Sequence, residues 1–134
     1  MAIERIQLSR QAEAQLLKLK RNTGIKRTDA LCRLAFCTSL AEPAAPRDAA
    51  ICADGKLEMS WTVFGGPHHE LYRAVLVARC CKDGLATDED VLGAQLHLHL
   101  HRGIGYLSAD RRIRRVGDLL RRLPVTYGSF STSA

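Results

Sequence analysis

The rhythm of apolar and polar residues changes several times along this chain, and each change predicts an element. Near the start, "IERIQLS" alternates, with Ile6 and Leu8 on one side and Arg5 and Gln7 on the other. That predicts a short half-buried strand. Ser9 stands where an N-cap belongs. In "RQAEAQLLKLKRNTG" the period becomes helical: Ala12, Leu16 and Leu19 share one face, while Arg10, Ala14, Lys18 and Arg21 lie opposite. Gly24 ends this helix. A second helix, "IKRTDALCRLAFCTSLAE", begins between Lys26 and Thr28, with Leu31, Leu34, Ala35 and Leu40 as its stripe. Cys32, Phe36 and Cys37 carry the apolar surface most of the way round. So apolar a helix is expected to pack against a second subunit as well as its own chain.

Residues 43–56 hold two prolines and small residues and read as a linker without regular structure. "KLEMSWTVFGG" then alternates, putting Leu57, Met59, Trp61 and Val63 on one side of an extended segment that ends at Gly65 and Gly66. Pro67 suits the first turn of a third helix, closed by Gly84. Thr87 caps a fourth, with Asp88, Glu89 and Asp90 in its first turn, where the helix dipole favours negative charge. A last helix, residues 109–123, is amphipathic: Ile113, Val116, Leu120 and Leu123 face Arg111, Arg114, Arg115, Arg121 and Arg122. Pro124 stops it, and residues 125–134 form a small polar tail expected to be flexible.

A lone early strand must find a partner. Strand, helix and helix in that order resemble a ribbon-helix-helix unit, in which two chains pair their strands and the ribbon can enter the DNA major groove. There Arg5 and Gln7 would face outward, and the start of the second helix near Lys26 and Arg27 would offer backbone N–H groups and positive charge to a phosphate. The predicted fold is therefore mainly α, a ribbon-helix-helix-like unit (1–42), a linker (43–56) and a helical part (57–124) forming one domain.

Composition sharpens this picture. With 134 residues, 46 % of them hydrophobic, the chain can bury a core without staples. No apolar run reaches the roughly 20 residues of a membrane span, and the N-terminus lacks a signal-peptide pattern. The five cysteines, Cys32, Cys37, Cys52, Cys80 and Cys81, are an odd number. They are expected to be free, buried thiols in a reducing cytoplasm. The net charge of +6 is unevenly spread. Residues 1–42 carry eight Lys/Arg against four Asp/Glu, and residues 105–134 carry six Arg against two Asp. The stretch between is net acidic. If the two ends meet in space they form one basic surface, suited to a polyanion such as nucleic acid.

The most suggestive chemical motif is "QLHLHLHRGIGYL". As a strand it would align His97, His99 and His101 as metal ligands. Its flanks argue for a helix instead, because residues 87–102 are too long for an ordinary strand and Leu92, Leu96 and Leu100 then form a spine. His99 lies beside that spine, and His97 and His101 share another face. No third ligand accompanies the pair, and position 98 is Leu98, so the HExxH spacing is absent. Gly103 and Gly105 are expected to end the helix and permit close packing. "HHEL" puts His69 and Glu70 at a helix start, able in principle to do acid–base work, but with no nucleophile or metal set beside them.

The segments "MAIERIQLSRQAEAQLLKLKRNTGIK", "LCRLAFCTSLAEP", "MSWTVFGGPHHELY" and "LHLHRGIGYL" together resemble the DNA sulfur modification protein DndE family, over nearly the whole chain. The linker and the tail are not part of that resemblance, nor is His97. The resemblance implies a bacterial system that replaces a non-bridging phosphate oxygen of DNA by sulfur, in company with a cysteine desulfurase, an iron–sulfur sulfurtransferase and an ATPase. It implies a small helical protein, tetrameric, that binds duplex DNA, preferably nicked, through surface Lys and Arg. No cofactor or metal is expected. Lys18, Arg21, Lys26, Arg27, Arg111, Arg114 and Arg115 are the expected DNA contacts. Two alternatives compete with binding alone: a nicking endonuclease using His69, Glu70 or the His97/His101 pair, and a protein scaffold joining the sulfurtransferase to the ATPase.

Overall fold

The computed structural model describes residues 5–122, with side chains described for residues 5–119. The elements run β1 (Arg5–Gln7), α1 (Arg10–Thr23), α2 (Thr28–Ala41), β2 (Glu58–Ser60), α3 (Trp61–Gly65), a 3-10 turn (Gly66–His68), α4 (His69–Lys82), α5 (Glu89–Ala109) and α6 (Val116–Arg122). The fold is mainly α, and the strand–helix–helix opening is present. The expected tail, Leu123 and Pro124 lie outside the described residues.

The first strand is not an orphan. It pairs antiparallel with β2 of the same chain, with Arg5 opposite Ser60, Ile6 opposite Met59 and Gln7 opposite Glu58. Residues 43–57 return the chain to β1, where Leu57 O accepts the Leu8 N–H at 3.2 Å and Gly55 N–H donates to Leu8 O at 2.9 Å. A Cβ at Gly55 would sit 2.5 Å from both Leu8 O and Glu13 Oε1, so glycine is what permits the approach. The segment read as a linker has no regular structure, yet both of its ends are tied down. At its start, Arg79 donates to the carbonyls of Leu40, Glu42 and Ala44, and Arg102 to those of Ser39 and Ala44. Two guanidinium groups thus satisfy the carbonyls that the end of α2 leaves open.

Local signals account for most boundaries. The Ser9 hydroxyl accepts the Ala12 N–H at the start of α1, and Gly24 ends that helix in the left-handed region at φ 75°. The expected extended run from Leu57 to Val63 is cut short. The Ser60 hydroxyl accepts the Val63 N–H and starts α3, which turns Val63 outward, 53 % exposed. The cap of α5 is Asp88, one residue later than the expected Thr87. The same helix runs through Gly103 and Gly105 to Ala109 instead of ending at the glycines. Ile104 and Leu107 are buried on it, so continuing the helix buries apolar surface that a break would expose. Gly103 serves packing alone: a Cβ there would collide with the Ala35 carbonyl of α2. The predicted last helix starts late, at Val116. Asp110 and Asp118 accept backbone N–H bonds from Arg112 and Arg114 and hold residues 110–115 as a turn.

The core forms where α5 lies across α1 and α2. Leu92, Leu96, Leu100 and Ile104 of α5 are fully buried against Leu31, Cys32, Ala35 and Phe36 of α2 and against Leu16 and Leu19 of α1. Phe64 closes one end, edge-on to Phe36 at 5.7 Å and stacked with Trp61 at 5.6 Å. The nearly all-apolar α2 is therefore covered by α5 and α3 of its own chain, and a second subunit is not needed to explain its composition.

Candidate nucleic-acid interface

The outward face of α1 meets the last turn of α5 and the turn that follows it. Lys18 Nζ donates to Ser108 O at 2.8 Å, and Asn22 Nδ2 to Ile113 O at 3.4 Å. Ile113 is buried and anchors the turn, which leaves Arg111, Arg114 and Arg115 exposed on it. Arg21, one position before Asn22 on α1, is exposed too. The basic residues of the two chain ends, Lys18, Arg21, Arg111, Arg114 and Arg115, thus stand on two adjoining segments. The arginines of the turn belong to no helix, contrary to the amphipathic pattern. Arg112, which that pattern did not single out, pairs with Asp110 at 3.1 Å.

Lys26 and Arg27 are exposed on the connection after Gly24. Among the described residues, no hydrogen bond ties them to residues 108–115. Arg27 pairs with Asp29 at 2.6 Å, and Arg33 reaches the same carboxylate at 3.0 Å. The hydrogen bond from Arg27 holds the Asp29 carboxyl below its ordinary range, helped by Arg33. The positive end of α2 is thus already answered by a carboxylate in its first turn. Lys26 makes no ion pair among the described residues and is the more available cation. The two residues expected to read bases are engaged as well: Arg5 lies 3.5 Å from Glu58, and Gln7 donates to Gly55 O.

The histidines follow the helical reading. The His97 and His101 rings lie 6.2 Å apart, but both nitrogens of His101 are in use. Nδ1 donates to His97 O at 2.7 Å, and Nε2 accepts the Ser9 N–H at 3.2 Å. That leaves no lone pair for a metal. His99 is fully buried, with Nδ1 2.8 Å from the Ser39 hydroxyl. Among the described residues no group of three His, Cys, Asp or Glu could hold a metal ion. His69 opens α4 half-buried and Glu70 is exposed beside it. All five cysteines are free, but only Cys32 and Cys80 are buried; Cys37, Cys52 and Cys81 are exposed, against expectation. They fall on the outward sides of α2 and α4 and on the linker. Burial pushes the Cys32 thiol up to about 12, which leaves it protonated and inert.

Sequence reasoning missed Asn22, which fastens α1 to the turn, and Arg79, which is 6 % exposed and clasps the end of α2. A signal for Arg79 existed, since it falls beside Leu76 and Cys80 on the buried side of α4. Asn22 carried none.

The family model described as DNA sulphur modification protein DndE matches residues 5–115, from β1 to the basic turn. Among solved structures, DndE from Escherichia coli B7A, involved in DNA phosphorothioation modification, is 28 % identical with a TM-score of 0.66. A double glycine-to-lysine mutant of DndE involved in DNA phosphorothioation is 26 % identical with a TM-score of 0.60. Each alignment covers 78 % of this chain and 95 % of the other. No curated protein sequence matches. The chain belongs to the DNA sulphur modification protein DndE family.

Proposed function

We propose that the protein is the DNA-binding component of a bacterial DNA phosphorothioate modification system. It acts in the cytoplasm with the other proteins of that system, as a tetramer, and holds duplex DNA at a nick. The contacts are Lys18, Arg21, Lys26, Arg27, Arg111, Arg114 and Arg115. The observation that carries this reading is the pair of hydrogen bonds that fastens α1 to the last turn of α5 and to the turn that follows it. Through it the two basic ends of the chain contribute to one surface. Cations so gathered release counterions from a phosphate backbone, a source of affinity that asks nothing of base sequence. The Gln7 amide is taken up within the chain, donating to Gly55 O, which agrees with backbone contact in preference to base reading. Binding is also favoured over cleavage. An activated water needs a metal or a free base close to charge stabilisation, and both His101 nitrogens are engaged.

The test is a salt titration of binding to intact and nicked duplexes of one sequence, with cleavage scored in the same tubes. The expected result is a steep fall of affinity with salt, tighter binding of the nicked duplex and no new breaks. A salt-independent affinity refutes backbone binding. Metal-dependent nicking that stops on His97→Ala or His69→Ala would instead make the protein the endonuclease. Weak DNA affinity beside a salt-resistant complex with the sulfurtransferase or the ATPase would make it a scaffold.

A further inference from the structure

The described surface carries a recess on α1, lined by residues distinct from those assigned to DNA. Glu13, Leu16, Leu17 and Lys20 fall at successive positions of one α1 face. Thr28, at the start of α2, and Lys56 and Leu57, just before β2, complete a cavity of about 320 Å³. That is the small end of the range for ligand sites, roughly 300–1,000 Å³, and suits a few side chains of a peptide.

Three features make this a formed groove. Glu13 accepts the backbone N–H of Leu57. Gly55 lets that segment approach α1. Leu16 is buried while Leu17 is 54 % exposed, so the apolar floor reaches the surface. The polar groups at the edge are unequal in sign. The Glu13 carboxylate is turned to the backbone, whereas Lys20 and Lys56 make no ion pair among the described residues. An apolar floor in a cavity also lined by two lysines complements a large apolar side chain accompanied by carboxylates. A nucleic acid would answer the lysines and leave Leu16, Leu17 and Leu57 unmatched.

We propose that this groove docks an acidic peptide segment of a partner protein, one carrying a single large apolar side chain between carboxylates. The site does not depend on the DNA-binding reading, so the two can fail separately.

The test uses the full chain and a fluorescent peptide, Glu-Glu-Leu-Glu-Glu with neutral blocked ends, read by anisotropy at low salt. Saturable binding is expected. It should weaken at least tenfold in Leu17→Asp and in the double variant Lys20→Glu with Lys56→Glu, and for a peptide with Ser in place of Leu. Leu17 is exposed, so Leu17→Asp should keep the far-UV circular dichroism of the parent. Absence of saturable binding, or equal binding by parent and Leu17→Asp, overturns the proposal. Displacement of the peptide by a single-stranded oligonucleotide whose own affinity falls equally in Leu17→Asp also overturns it, and makes the groove a nucleic-acid site.

Discussion

Acid should destabilise this protein through a histidine that its sequence presents as a metal ligand. His99 is fully buried on α5. Arg102 Nε donates to the Ser39 hydroxyl at 2.8 Å, so that hydroxyl has its own hydrogen to give, and we assign it to His99 Nδ1, 2.8 Å away. A proton added at Nδ1 would meet a donor. The resulting charge would be buried near two further cations, Arg102 and Arg79. Burial, then Arg102 and Arg79, push the His99 pKa down from 6.5 to about 4. Because the folded value is depressed, the neutral form is the one folding favours. The stabilisation is complete above pH 6.5 and is lost as pH falls toward 4. At about 1.4 kcal/mol per unit, the loss is about 2 kcal/mol at pH 5 and about 3 kcal/mol at pH 4. Burial pushes His97 and His101 down as well, so they act in the same direction. The assay is urea unfolding at pH 7, 5 and 4 for the parent and for His99→Leu. Carboxylates titrate in both, so the difference between their pH dependences isolates position 99. The parent should lose about 2 kcal/mol more than the variant between pH 7 and 5. Parallel curves, or a variant that is the more acid-sensitive, would refute the reasoning.

Reversing Arg21 and Arg114 to Glu should lower the magnitude of the salt slope of DNA binding by about 2, near 0.9 for each phosphate no longer neutralised; an unchanged slope refutes their assignment. Gly103→Ala should cost about 1–3 kcal/mol or more, because the new methyl group collides with the Ala35 carbonyl. Gly105→Ala meets nothing within 4 Å among the described residues and should gain up to about 1 kcal/mol from helix propensity, so thermal melts of the two should move in opposite directions. Arg79→Met leaves Asp83, 2.9 Å from the guanidinium, as an unpaired carboxylate in a buried site. It should cost about 3–5 kcal/mol, and adding Asp83→Leu should recover part of that in a double-mutant cycle.

What the sequence made legible was local. Ser9 and Gly24 mark the ends of α1 because the cap and the left-handed residue act within a turn of the helix. The histidine run could be read as helical because residues 87–102 are too long for an ordinary strand, and the Leu92, Leu96 and Leu100 spine then forms a core face. The failures were of two kinds. In one, a side chain competed locally with the apolar period: Ser60 starts a helix inside an alternating run, and Asp110 with Asp118 turns a would-be helix into a loop. In the other, the deciding contact joins distant positions. The partner of β1 lies some fifty residues away, and its placement depends on Gly55 passing Glu13. The basic surface is the sharpest case. Its charges could be counted from the sequence, but their union rests on Lys18 and Asn22 donating to the carbonyls of Ser108 and Ile113. Every residue has a carbonyl, so the acceptors leave no trace in the side-chain pattern. Among the donors, a lysine that makes this contact looks like any other solvated cation. Clustered charge along a chain therefore marks which residues can serve an anionic partner, while the packing of apolar residues such as Ile113 decides which of them serve it together.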